Sequence, residues 1–142
     1  MVAAIAMSAA AAGCRRIVRA PPIAWVHTMD EAEALATHHP RYVGRPVFAV
    51  FGATWDTASK ELLEVTFPDA AVRGLIQDRF VAAWIDVSDD DDPAVKLASN
   101  RFKLHGTPTL IILSSDLKKE LARANEFLPP AKLLALLEKS LG

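Results

Sequence analysis

The hexapeptide Trp55-Asp56-Thr57-Ala58-Ser59-Lys60 holds the side chains best suited to chemistry: a carboxylate, two hydroxyls and an amine. It follows the apolar run 47–53 and opens a segment with a helical pattern. A carboxylate there would accept hydrogen bonds from the free N–H groups of the first helical turn and would interact favourably with the helix dipole. We therefore predict that Asp56 is a helix N-cap rather than a catalytic group.

The other residues of this hexapeptide carry less chemistry. Thr57 and Ser59 are expected in the first helical turn, and no base lies beside Ser59 in the sequence to activate its hydroxyl as a nucleophile. Trp55 allows two interpretations, an exposed platform for a ligand or a core side chain. We assign no catalytic residue and interpret the chain as a binding protein more readily than as an enzyme.

Metal and disulfide chemistry find little support in the sequence. Cys14 is the only cysteine, so no internal disulfide can form, and no Cys/His cluster has zinc spacing. The pair His38-His39 precedes Pro40 and is expected to cap the end of a helix. The acidic run 89–92 lacks the spaced ligands of a calcium loop and is expected to cap the helix that follows Pro93. We predict no metal and no cofactor.

Composition limits the class of protein. The 142 residues suffice for one domain with a sizeable core, and 51% of them are hydrophobic. The formal net charge is -1, and no basic patch interleaved with aromatic residues is present. Nucleic acid is therefore not an expected partner.

The first residues form an alanine-rich apolar leader that ends in Ala11-Ala12-Gly13-Cys14. Small residues before a cysteine resemble the lipobox of bacterial lipoproteins, which implies export and a lipid anchor on Cys14. Against this, no Lys or Arg precedes the apolar run, and the arginines 15, 16 and 19 follow it. The alternative is a loose alanine-rich tail. We divide the chain into a leader and linker, 1–22, and a folded domain, 23–142.

The pattern of the remaining chain alternates strands and helices. Short unbroken apolar runs at 47–53, 80–85 and 110–113 are typical of central strands that are covered on both faces. The other expected elements are a short strand at 23–26, helices at 31–36, 56–77 (interrupted at 67–69), 93–102 and 130–141, and an edge strand within 118–127. This order predicts an α/β three-layer sandwich with a central mixed sheet of four to five strands flanked by helices.

Two motifs at the right separation give the chain a family resemblance. The stretch from Gly44 through the hexapeptide to Val72, and later Gly106-Thr107-Pro108-Thr109, resemble the thioredoxin-like superfamily, closest to the C-terminal domain of the thiol:disulfide interchange protein DsbD. The resemblance covers about residues 23 to 141. It implies a thioredoxin-like fold, an active-site CxxC motif at the hexapeptide and a cis-proline at Pro108.

The resemblance fails at the residues that do the family's chemistry. Asp56 and Ser59 occupy the two cysteine positions, and Val50 occupies the position of a buried acid that the family often uses to move protons. Disulfide exchange needs a thiolate and a second, resolving thiol. The resemblance also implies a groove of Trp55, Thr107 and Pro108 that could bind an extended peptide without any cysteine.

These observations lead to one functional hypothesis with alternatives. We expect a redox-inactive thioredoxin-fold protein of the bacterial cell envelope, monomeric, on the periplasmic side, which binds an unidentified protein or peptide. Its only membrane contact would be a lipid anchor at Cys14, and it would be cytoplasmic if the leader is not a signal. One alternative is a thiol-disulfide exchange component that relies on a partner's thiol, and another is a domain that only packs on another chain.

Overall fold

The computed structural model describes residues 21–142. Within this range the elements in chain order are α1 (Met29–His38), β1 (Val47–Gly52), α2 (Thr57–Glu61), a π-helical turn (Leu62–Thr66), α3 (Ala70–Arg79), β2 (Val81–Asp86), α4 (Pro93–Phe102), β3 (Thr109–Leu113), β4 (Glu120–Ala124) and α5 (Pro130–Leu141). None of these helices is long and apolar enough to cross a membrane. The helices and the central strands lie where the sequence pattern predicts them.

The strands form one mixed sheet in the order β2-β1-β3-β4. β2 is parallel to β1, whereas β3 is antiparallel to both β1 and β4. Every residue of the two central strands, β1 and β3, is buried, which explains why their sequences are continuously apolar. The predicted α/β sandwich is confirmed, and the strand predicted within 118–127 is the edge strand β4.

The short strand predicted at 23–26 is not formed. Only Val26 pairs with the sheet, through an isolated bridge to Ala83 of β2. The preceding residues bond to a helix instead: Ala24 N–H donates to the Gln77 side chain, whose amide donates to Pro22 C=O. The described sheet therefore has four strands, and β2 is one of its edges.

Two core layers cover the two faces of the sheet. Alternate side chains of β1 separate between them: Phe48 and Val50 face one layer, and Val47, Ala49 and Phe51 face the other. The first layer includes side chains of α3 and α5, and the second includes side chains of α1 and α4. The position where the resemblance implies a buried acid thus holds Val50, packed among hydrophobic side chains.

Polar side chains fix where the helices begin and end. Thr28 caps α1, Asp69 caps α3 and Asp92 caps α4, each by accepting a hydrogen bond from a backbone N–H of the first turn. Asp92 belongs to the acidic run 89–92, which fills the capping role predicted for it. His39 is the C-cap residue of α1, as expected.

The edge strand β4 is tied to the end of α4 by one arginine. The Arg123 guanidinium donates to Phe102 C=O at 2.6 Å and pairs with the Glu120 carboxylate at 2.9 Å. The hydrogen bond from Arg123 lowers the pKa of the Glu120 carboxyl. This contact holds the C-terminal end of α4 beside the sheet.

Candidate functional site

The two residues at the former cysteine positions are bonded to each other. Asp56 Oδ2 accepts hydrogen bonds from Ser59 N–H at 3.1 Å and from Ser59 Oγ at 2.7 Å. Ala53 N–H donates to the same Ser59 hydroxyl at 3.2 Å. Asp56 is the N-cap of α2, as predicted, because its carboxylate satisfies a free N–H group of the first turn.

Ser59 therefore has a carboxylate partner that the sequence analysis did not foresee. A residue and the third one after it meet across the N-terminus of a helix, so the two side chains face each other once α2 forms. The Ser59 side chain is nevertheless buried, with 1% of the residue exposed, and its hydroxyl both donates and accepts. A hydroxyl in this position is a structural bridge between β1 and α2 and is not open to a substrate.

Trp55 lies on the surface, and a hydrogen bond to Ser88 fixes its side chain. It is 63% exposed, so the core-packing interpretation is wrong. Its indole Nε1–H donates to Ser88 C=O at 2.9 Å, and the Ser88 hydroxyl accepts from Thr54 N–H at 2.8 Å. Ser88 is itself anchored by the Asp86 carboxylate, which accepts from the Ser88 N–H at 2.9 Å.

Ser88 was not predicted from the sequence as a site residue. The available signal was its position just after Ile85-Asp86-Val87, which resembles a strand end of the family. Its bonds to Thr54 and Trp55 join the ends of the adjacent parallel strands β1 and β2. The aromatic ring is therefore positioned by both strand ends and not by the hexapeptide alone.

Trp55 and Thr107 line one shallow groove of about 250 Å³. Its remaining lining residues come from the loops around α4 and from α4 itself: Val87, Asp90, Val95, Ser99, Leu104 and Gly106. The Thr107–Pro108 peptide bond is cis. The structure thus brings together two of the three residues expected to form a groove.

Pro108, the third expected groove residue, does not line it. Its side chain is buried, because the residue leads directly into the central strand β3. A hydrogen bond from the Thr109 hydroxyl to Gly106 C=O, at 2.8 Å, closes the loop around it. Pro108 shapes the loop that presents Thr107 and offers no surface of its own.

The other predicted positions can be placed more briefly. Thr57 and Lys60 are exposed and Ala58 is half-buried on α2. Among residues 21–142, no group of three or more His, Cys, Asp or Glu side chains could hold a metal ion. Cys14, the predicted lipidation site, lies outside the described residues.

Comparison with known proteins agrees with this geometry. Residues 35–141 match the family model of the thioredoxin-like domain. The chain belongs to the thioredoxin-like domain family. It is 35% identical over 119 residues to the thiol:disulfide interchange protein DsbD of Ralstonia nicotianae, a match that covers 82% of this chain and 18% of DsbD. The chain therefore spans less than a fifth of that relative.

Solved structures show the same thioredoxin-like fold. A thioredoxin from Thermus thermophilus is 25% identical, with a TM-score of 0.69 over 85% of this chain and 88% of that one. The reduced C-terminal domain of DsbD from Neisseria meningitidis is 22% identical, with a TM-score of 0.66 over 79% and 93%. The thioredoxin-like domain described here is thus a relative of DsbD without either cysteine of the CxxC motif.

Proposed function

We propose that this thioredoxin-like domain binds an extended polypeptide at the former disulfide-exchange site and exchanges no disulfides itself. The observation that carries the proposal is the hydrogen-bonded pair of Asp56 and Ser59 at the two cysteine positions. Asp56 Oδ2 accepts from the Ser59 N–H group of the first helical turn and from Ser59 Oγ, so these two side-chain oxygens are hydrogen-bonded to each other and serve the helix N-terminus. The frame of the site is kept, and its redox atoms are absent.

The chemistry of exchange supports the redox half of the proposal. A thiolate must attack a disulfide sulfur, and a second thiol must resolve the mixed disulfide that forms. Asp56 presents a carboxylate, which does not attack disulfides, and Ser59 presents a buried hydroxyl. The only cysteine of the chain, Cys14, lies far from the hexapeptide in sequence.

The geometry of the groove supports the binding half. Trp55 offers a large apolar face, and its indole N–H is already satisfied by Ser88 C=O, so a ligand can cover the ring without leaving a polar atom unpaired. Thr107 lies across the same groove on the loop before β3. A fixed aromatic side chain beside an accessible loop backbone suits an extended peptide that bonds through its main chain.

Binding of a thiol-free unfolded chain tests this half directly. The probe is insulin B chain with both cysteines alkylated, titrated into the ¹⁵N-labelled protein while amide and indole signals are followed. We expect shifts at the Trp55 indole and the Thr107 amide. Trp55→Ala should weaken binding about tenfold, as is typical of aromatic side chains that become buried when a partner binds.

Val43→Ala is the matched control for this experiment. Val43 is 58% exposed but precedes β1, whereas Trp55 follows it, so the two side chains lie at opposite ends of that strand. The control should bind like the unmodified protein. The proposed site would be disproved if Trp55→Ala bound the peptide as tightly as the unmodified protein does, or if the peptide shifted only signals outside the groove.

We further propose that the domain acts in the cell envelope, anchored by lipid at Cys14. The support is the lipobox-like sequence Ala11-Ala12-Gly13-Cys14 and the relation to DsbD. Mass spectrometry of the native N-terminus tests it: a diacylated or triacylated Cys14 is expected, and an intact Met1 would exclude the anchor.

A further inference from the structure

A second, larger groove lies on another side of α4 from the Trp55 groove. It has a volume of about 530 Å³ and runs between the start of α1, the end of β2 and α4. Most of its exposed lining is apolar, and Leu97, which contributes to it, is 71% exposed. The two grooves share only Val95 among their lining residues, so they present different surfaces.

One wall of this groove is the outer edge of β2, which the chain itself covers as far as Trp84: Val26 pairs with it, and His27 Nδ1 lies 3.2 Å from Trp84 C=O. Val26 pairs with the outer edge of β2, donating to Ala82 C=O at 3.0 Å and accepting from Trp84 N–H at 2.9 Å. The chain then turns away into α1. Because Val87 N–H donates to Gly52 C=O on β1, the backbone groups of Asp86 point outward, and no partner for them exists within residues 21–142.

The charges around the groove are mainly negative. The carboxylates of Asp30, Asp86 and Asp92 line it, and Arg101 is the one lysine or arginine among its lining residues. The Arg101 guanidinium lies 4.8 Å from the centre of the Phe102 ring, and none of these four side chains forms an ion pair within the described part of the chain. Asp86 accepts hydrogen bonds from Ser88, and Asp92 accepts one from Ala94 N–H, but these neutral donors leave the negative charges in place. A basic ligand would therefore meet carboxylates that have no cationic partner in the described part of the chain.

We propose that this groove is a second peptide site, which takes an extended segment of alternating basic and apolar residues as an added strand on β2. The segment would bond to the outward backbone groups of Asp86, just beyond the stretch of β2 that Val26 and His27 cover. Its apolar side chains would cover Leu97 and the small residues Ala94 and Ala98 of α4. Its basic side chains would face the three carboxylates. An exposed strand edge next to pockets for alternate side chains is the general arrangement for this mode of recognition.

A pair of peptides that differ only in charge tests the proposal on the full chain. The probe is a blocked heptapeptide of alternating valine and lysine, and the control peptide has glutamate in place of each lysine. We expect the lysine peptide to shift the Asp86 amide, to bind at least tenfold more tightly than the glutamate peptide and to lose affinity as salt is added.

Two variants locate the binding. Leu97→Ser and Asp30→Lys change exposed side chains, so the fold should be kept, and each should weaken binding of the lysine peptide about tenfold. Leu121→Ser is the control, because Leu121 is partly exposed at the opposite edge of the sheet, on β4. This control should bind normally.

Three results would overturn the proposal. Equal binding of the two peptides would exclude the role of the carboxylates. Shifts confined to Trp55 and Thr107 would assign the peptide to the first groove. A dimer in sedimentation experiments that Leu97→Ser abolishes would mean that a second copy of the chain covers this face.

Discussion

At the scale of single residues, Asp56 and Ser59 give the two cysteine positions of the CxxC motif a structural role. The carboxylate caps α2, and the buried hydroxyl connects that carboxylate to Ala53 N–H at the end of β1. A buried polar group is tolerated only when its hydrogen bonds are made, and both partners of Ser59 are present. The pair should therefore contribute to stability.

Removing the carboxylate measures that contribution. Asp56→Ala deletes the helix cap and leaves the Ser59 hydroxyl with one partner fewer, so we expect a loss of about 1–2 kcal/mol in the free energy of unfolding. Asp56→Asn keeps an acceptor oxygen, so its free energy of unfolding should fall clearly less than that of Asp56→Ala. Urea unfolding of the three proteins provides the values, and an unchanged midpoint for Asp56→Ala would disprove the structural role.

Of this pair, the sequence predicted the role of Asp56 but not the contacts of Ser59. The cap at Asp56 follows from residue type and position, because a carboxylate before a helical segment has a well-defined local role. The contact between Ser59 and Ala53 depends on how closely β1 approaches α2, and no local pattern reports that distance. Ser88 was missed for the same reason, since its partners Thr54 and Trp55 are more than thirty residues away.

At the scale of elements, the end of β1 is packed so closely that it admits no side chain. A Cβ atom on Gly52 would lie 2.6 Å from the Trp84 ring of the neighbouring strand β2 and 3.3 Å from Ser59 Oγ. Trp84 cannot move easily, because it packs edge-on against Trp25 and Phe67. The strand end that precedes Trp55 is therefore fixed by sheet packing.

A matched pair of glycine substitutions tests this packing. Gly52→Ala should lower the free energy of unfolding by about 1–3 kcal/mol, because the added methyl group overpacks the site. Gly74→Ala lies in α3, where the new Cβ would meet no atom within 4 Å beyond its chain neighbours and the backbone of its own helix, so it should raise stability by up to about 1 kcal/mol. Thermal unfolding distinguishes them, and a neutral Gly52→Ala would contradict the close approach.

The positions of the helices and strands were easier to predict from the sequence than the contacts they make with one another. Helix α4 lies at 93–102 as predicted, because Pro93 and the preceding acidic run mark its start. The segment 23–26 was predicted as a strand from its composition, yet Gln77 binds its backbone and only Val26 reaches the sheet. The groove residue Pro108 likewise proved buried, because burial depends on where β3 lies in the sheet.

At the scale of the whole molecule, a thioredoxin-like framework carries two separate grooves and has no cysteine among residues 21–142. The family membership and the relation to DsbD account for the framework. Trp55 and Thr107 line the first groove, whereas Asp86, at the end of β2, lines the second. The proposed function accordingly places polypeptide binding on a framework that has no cysteine at either position of the CxxC motif.

Reduction of insulin by dithiothreitol tests this account most directly. The unmodified protein and a Cys14→Ser variant should precipitate insulin no faster than dithiothreitol alone, because neither has a cysteine at position 56 or 59. The double variant Asp56→Cys/Ser59→Cys should accelerate precipitation, since the surrounding framework is intact. Acceleration by the unmodified protein would contradict the central claim that this site no longer exchanges disulfides.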